Sequence, residues 1–175
     1  QGRRSSMIVV SDKIISNYYY MKKDKFLLAY IAGLWDGEGS FMLIRTGKVS
    51  PRTGMRECVA TAQICMAING RQEKVLKLLK EMYDGCLFEI KDPPSKNMNA
   101  KSVIMWRVAA QKARLFAKDL LPYLRMKKRQ AEIIIEFSEI KERSRKAGSR
   151  WTPINEQERQ LLVEEIHTLN HRGKI

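Results

Sequence analysis

Hydrophobic and polar positions along the chain follow two alternating periods, one helical and one of period two. KFLLAYIAGLWD, residues 25–36, is apolar for most of its length, and Asp24 ahead of it is a natural N-cap. The run predicts a helix ending near Asp36, with Gly37 as the left-handed residue that closes it. FMLIRT then predicts a strand, GKVSPRTG a turn, and MRECVATAQICMAI a long second strand. The alternation in the second strand puts Cys58, Ala60, Ala62, Ile64, Met66 and Ile68 on one face. Glu57, Val59, Thr61 and Gln63 fall on the other, as in a sheet buried on one side. Val75, Leu76, Leu79, Met82 and Tyr83 recur at helical spacing between Asn69, a candidate cap, and Gly85. A second hairpin, CLFEIK and SVIMWRVA across the loop DPPSKNMNAK, leads into the amphipathic helix QKARLFAKDLLPYL. The order α-ββ-α-ββ-α predicts an α+β fold with one curved antiparallel sheet and helices on one of its faces.

Beyond that core, RMKKRQAEIIIEFSEIKER begins as a basic turn and becomes a helix with Ile133, Ile134, Phe137 and Ile140 facing inward. SRKAGSR reads as a basic linker, and Thr152-Pro153 introduces a last helix from about Glu156 to Asn170 that carries Leu161, Leu162, Ile166 and Leu169. The expected organisation is an arm over 1–23, a domain over 24–143, and a linker with a C-terminal helix over 144–175. The opening QGRRSS reads as an expression scar or a disordered arm. No internal repeat is present.

Charge narrows the partner. Lys+Arg 33 against Asp+Glu 19 gives a formal net charge of +14, a field that attracts polyanions and makes nucleic acid the leading partner class. A ribosomal protein or a membrane-surface binder shares this composition. No apolar run has the length of a bilayer span, and MIVV near the start is too short for a signal peptide. The expectation is a soluble, non-secreted protein of a prokaryotic cytoplasm, mitochondrion or chloroplast, without a membrane partner. Cys58, Cys65 and Cys86 have no CxxC spacing and read as reduced thiols. His167 and His171 stand at a spacing that can hold a metal, but no third Cys or His lies nearby, so they read as a solvated helix end.

Within this basic chain, Asp36 and Glu38 sit between glycines directly after an apolar helix with Ala29, Ala32 and Gly33 on one face. Small residues there let a second helix backbone come close. Taken alone, Gly-Glu-Gly reads as a solvated turn. The longer stretch IAGLWDGEGS resembles the LAGLIDADG signature of homing endonucleases, and WRVAAQKARLFAKDLLPYLRMKKRQAEIIIEF is similar to the second half of that family's domain.

The resemblance implies a DNA-binding saddle, with two signature helices packed side by side above a shared active site. One motif per chain then implies a homodimer through Ala29, Ala32, Gly33 and Asp36, acting on a near-palindromic double-stranded DNA target. Glu38 matches the family's metal ligand and catalytic acid, with Mg²⁺ as the expected cofactor; Asp36 matches the earlier, more structural acid. Lys127 falls where the family carries a basic residue near the active site. Lys127 is favoured for that role by its place at the helix entry, Lys128 and Arg129 are neighbours able to serve instead, and the alternative is that all three only contact phosphates. The sheet's solvent face would read bases through Ser40, Met42, Ile44, Glu57, Val59, Thr61 and Gln63, with Glu89, Lys91 and Arg107 added from the second hairpin. Gln63 suits adenine and Arg107 guanine, whereas Met42, Ile44 and Val59 offer apolar contacts or pack together.

One departure stands out. Relatives often carry a pattern like FQITQ where this chain has AQICM, so Met66 replaces a second glutamine, and Asn69 is a substitute for it or simply a helix cap. The expected function is site-specific, metal-dependent double-strand cleavage of DNA. The alternatives are a non-catalytic binder on the same scaffold, either a maturase acting on its own intron RNA or a DNA-binding regulator, and a basic ribosome-associated protein. Retention of Glu38 favours cleavage, because an acid facing phosphate has no use in a pure binder.

Overall fold

The structure is a computed structural model that describes residues 24–49, 54, 56–67, 72–90, 102–146 and 153–171. The N-terminal arm, Asn69, Lys91 and residues 147–152 of the linker lie outside the described residues. The elements run α1 (Lys25–Glu38), β1 (Gly39–Val49), β2 (Arg56–Ala67), α2 (Gln72–Tyr83), β3 (Cys86–Ile90), β4 (Val103–Ala109), α3 (Ala110–Leu120), α4 (Lys128–Lys146) and α5 (Pro153–Asn170). The four strands form one curved antiparallel sheet in the order β1-β2-β4-β3. This is the α+β arrangement that the alternation of periods predicts.

Helix α1 starts as expected, with the Asp24 carboxylate accepting from the backbone N–H groups of Phe26 and Leu27. Its end differs. The helix runs through Gly37 to Glu38, and Gly39 leaves it in extended conformation with φ −79°, so Gly37 is not a left-handed terminator. Glycine is required instead at Gly39, where an added Cβ would fall within the indole ring of Trp35. Left-handed geometry occurs at the end of α2, where Asp84 has φ 60° and Gly85 φ 95°.

Trp35 heads an aromatic cluster beneath the sheet. Its ring lies 4.6 Å from Phe116 and 5.1 Å from Phe41 between centroids, and Phe116 also meets Tyr83 at 4.9 Å and Trp106 at 5.2 Å. The tilted and edge-on geometries suit the ring quadrupoles. Trp106 donates its indole N–H to the carbonyl of Asp84 at 2.8 Å, satisfying the only polar atom of that buried side chain. Ile133, Ile134, Phe137 and Ile140 of α4 join the same core, as do Leu162, Val163 and Ile166 of α5. The C-terminal helix thus packs on the domain, against α4 and β1, and Asn170 Nδ2 donates to the Phe41 carbonyl at 2.8 Å.

The packing around Gly39 yields a stability contrast. Gly39→Ala should destabilise the fold by about 1–3 kcal/mol or more, because backbone and a buried indole must both shift. Gly47→Ala, with open space around its Cβ position, should be neutral or stabilising by up to about 1 kcal/mol. Urea denaturation of the two variants checks the order.

Candidate nucleic-acid interface and acidic site

The end of α1 and the turn before α4 are locked together. Asp36 is only 8% exposed, and its carboxylate accepts from the backbone N–H groups of Arg125 at 2.8 Å and Lys127 at 2.9 Å. In return the Lys127 ammonium donates to the carbonyls of Trp35 at 3.0 Å and Gly39 at 2.6 Å, and the Trp35 oxygen also accepts the Gly39 N–H that closes the helix. Burial pushes the Lys127 pKa down, and the negative charges of Asp36 and Glu38 oppose that shift. Glu38, two residues beyond Asp36, is exposed.

Among the described residues of this junction, Glu38 is the exposed carboxylate. Asp36 is occupied by backbone donors, and no group of three His, Cys, Asp or Glu side chains is gathered among the described residues. Mg²⁺ takes one or two carboxylates and completes its shell with water and phosphate oxygens. Glu38 therefore fits as one such carboxylate.

Helix α1 divides its small residues. Ala32 is 0% exposed and packs in its own core, and Asp36 is buried too, which corrects the expectation that both lie on an open pairing face. Ala29 and Gly33 do face outward, and an added Cβ at Gly33 meets nothing within 4 Å. Beside them stand Phe26, 89% exposed, and Tyr30, 56% exposed, an apolar stripe on an uncovered helix face.

On the sheet, the helices cover the face of Phe41, Leu43, Ala60, Ala62, Ile64, Trp106 and Val108. The other face carries Ser40, Met42, Ile44, Glu57, Val59 and Gln63, all at least partly exposed. Thr61 lies on this face but is 2% exposed, flanked in register by Met42 and Ala109, which corrects its assignment as a base-reading residue. Arg107 shares the face, paired across the strands with Gln63. Glu89 does not: it pairs with Ile104, on the side of Leu87 and Trp106, so the hairpin register opposes it to Arg107. The β3 residues sharing the Arg107 face are Cys86, Phe88 and Ile90, and Cys65 and Met105 join them from β2 and β4. Strand β3 is too short for its alternation to be legible in the sequence. A groove of about 690 Å³ borders Met42 and Ile44 on one side and His167, Thr168 and His171 of α5 on the other. The two histidines are exposed, and the Nδ1 of His171 lies 2.7 Å from the carbonyl of His167.

The basic run at the start of α4 also splits. Lys128 is exposed. Arg129 is engaged within the fold: its guanidinium donates to both Glu165 oxygens, at 2.7 and 2.8 Å, and to Glu136 at 2.8 Å. These carboxylates raise the Arg129 pKa above its ordinary value. The expected phosphate contact is instead an ion-pair network joining α4 to α5.

No protein-family model matches the sequence, and no curated protein is similar to it. Solved structures are similar in fold. The homing endonuclease I-CvuI, in complex with its target in the presence of 2 mM Ca, superposes with a TM-score of 0.64 at 17% identity over 86% of this chain and 85% of that one. The archaeal intron-encoded homing endonuclease I-Vdi141I, complexed with DNA, gives 0.64 at 18% identity over 87% and 89%. The chain has the LAGLIDADG homing-endonuclease fold. It matches the I-SmaMI LAGLIDADG homing endonuclease bound to cleaved DNA with a TM-score of 0.56 at 17% identity, and there covers 42% of that longer chain. Within the LAGLIDADG fold of this chain, the signature residues Trp35, Asp36, Glu38 and Gly39 occupy the junction of α1 and β1.

The ion-pair network sets an acid response. Glu165 is held below its ordinary pKa by its hydrogen bond to Arg129, and Glu139 by Lys118 and Arg114. A depressed carboxylate contributes stability that is complete above its unfolded pKa and is lost as pH falls through the folded one. Melting temperature should therefore drop as pH falls from about 6 to about 3. Arg129→Ala should flatten part of that slope, by a small amount because the pairs are solvent-screened.

Proposed function

We propose that two copies of this chain form a site-specific DNA endonuclease that hydrolyses phosphodiester bonds in both strands of a long, near-palindromic target with Mg²⁺. The observation that carries this reading is Glu38: an exposed acid at the foot of an uncovered apolar helix face, beside the half-buried ammonium of Lys127, in a chain of net charge +14. It precedes Ser40, the first residue on the sheet's open face, by two positions.

Each residue has a part that its surroundings support. Pairing through Phe26, Ala29, Tyr30 and Gly33 brings two Glu38 carboxylates together across a twofold axis. A divalent ion held there supplies electrostatic stabilisation of the phosphate and an acidified water. Lys127, fixed by two carbonyls, holds positive charge where negative charge develops during cleavage. Lys128 meets phosphates, and the open face of the sheet, with Met42, Ile44, Val59 and Gln63, enters the major groove. Solved DNA-bound neighbours with the same fold support this reading.

The test selects a binding site from randomised DNA and assays cleavage of that site with Mg²⁺ and with EDTA. Wild type should cut both strands only with the metal, and Glu38→Gln should bind the site but not cut it. Cutting by Glu38→Gln at the wild-type rate overturns the assignment. Specific binding without cleavage under any divalent metal would instead make the chain a non-catalytic binder, a maturase or a regulator.

Two further outcomes belong to this reading. Gly33→Leu should weaken the dimer by about 1–3 kcal/mol per overpacked contact, visible in sedimentation, where the wild type should run as a dimer on DNA. Lys128→Ala should lower the slope of log K against log salt by about one unit per lost contact in each subunit, with no change in the preferred sequence.

A further inference from the structure

The open face of the sheet holds one side-chain pair whose hydrogen bonding restricts what it can recognise. Gln63 on β2 and Arg107 on β4 are register partners, and the Gln63 carbonyl oxygen Oε1 accepts from Arg107 Nε at 3.1 Å and from Nη2 at 2.9 Å. Arginine carries donors only, so the glutamine must turn its oxygen toward it, which fixes the amide orientation without ambiguity. The guanidinium also lies 5.8 Å from the centre of the Phe88 ring, with Nη2 3.7 Å from the Met105 sulfur. Three neighbours on three strands therefore hold it in place.

We infer that Gln63 and Arg107 act as one donor-only reading unit that selects guanine, in place of the separate adenine and guanine contacts that their residue types suggest. The inference rests on the DNA-binding part of the proposed function and names what this site would read. Both lone pairs of the Gln63 oxygen are occupied by Arg107, and what both side chains still present outward is N–H groups. Adenine recognition by glutamine needs that oxygen to accept from the adenine N6 amino group, so it is blocked while Arg107 is bound. Guanine offers two acceptors, N7 and O6, on its major-groove edge. The guanidinium edge formed by Nη1 and Nη2 matches them once Nη2 exchanges its long contact to the Met105 sulfur for the base. Cytosine presents a donor and is rejected, and thymine offers one acceptor.

The pairing makes an unusual demand on its variants: removal of the arginine should change the preferred base rather than merely weaken the preference. Binding selection from a randomised duplex library without divalent metal, read out by sequencing, tests this separately from cleavage. Wild type should show guanine at one pair of symmetry-related positions. Gln63→Ala should keep guanine there with discrimination reduced. Arg107→Ala should convert the same positions to adenine, because the freed Oε1 can now accept. The double variant should lose preference at those positions, about tenfold or more relative to wild type.

If the wild type selects a site but Arg107→Ala keeps guanine, or if the two single variants alter different positions, the coupled pair is wrong while DNA recognition stands. If the wild type enriches no sequence, DNA-site recognition and this inference fall together.

Discussion

The reciprocal clamp between Asp36 and Lys127 is the interaction on which the rest of the site depends. A carboxylate at the end of one helix takes the N–H groups of a distant turn, and the lysine of that turn returns its ammonium to the carbonyls of the same helix end. The partners are 88 to 92 residues apart in sequence. Neither half stands well without the other. An isolated buried carboxylate or ammonium is costly, and removing one partner leaves the other desolvated. Together they fix the angle at which α1 meets β1 and the start of α4, which in turn places Trp35 over Gly39 and leaves Glu38 facing outward.

The same principle governs the chain's charge. A net charge of +14 suggests a uniformly basic surface, but several arginines are spent within the fold. Arg114 pairs with Glu139 and Glu142, Arg129 with Glu136 and Glu165, and Arg159 lies over the Phe137 ring beside Glu156. These pairs tie α3 to α4 and α4 to α5, so the acidic residues concentrated on the C-terminal helices serve to fasten them. Arg45, Arg125 and Lys128 remain exposed outside these pairs. Sheet and helices thereby divide the labour: one surface stays open and hydrogen-bond capable, and the other uses its ions internally.

What the sequence makes legible follows from which physics is local. Period-two alternation in β2 separates the covered residues Cys58, Ala60, Ala62, Ile64 and Met66 from the open ones, because a long strand repeats its signal many times. Helical spacing in α4 likewise identifies Ile133, Ile134, Phe137 and Ile140 as core. Glu89 shows the opposite case: β3 has five residues, and its facing is decided by pairing with β4 across a loop whose length says nothing about register. Gly39 was hidden for a related reason, since its requirement is the nearness of an indole and not its own backbone angle. The burial of Thr61 and the ion pairs of Arg129 escape the sequence because charge and parity describe a residue without its neighbours.

The signature's two acids illustrate how a short motif can encode two environments at once. On an α-helix successive residues turn by about 100°, so positions two apart point in nearly opposite directions. With Asp36 drawn inward by the N–H groups of Arg125 and Lys127, Glu38 is carried to the outer side of the same turn. A helix that stopped at Asp36 would lose this relation. Continuation through Gly37 maintains it, and the extended Gly39 then passes directly into the strand whose next residue, Ser40, lies on the sheet's open face. The buried acid thus sets the orientation of the exposed one, and a turn that repeats its chemistry uses one carboxylate to hold the frame and leaves the other facing solvent.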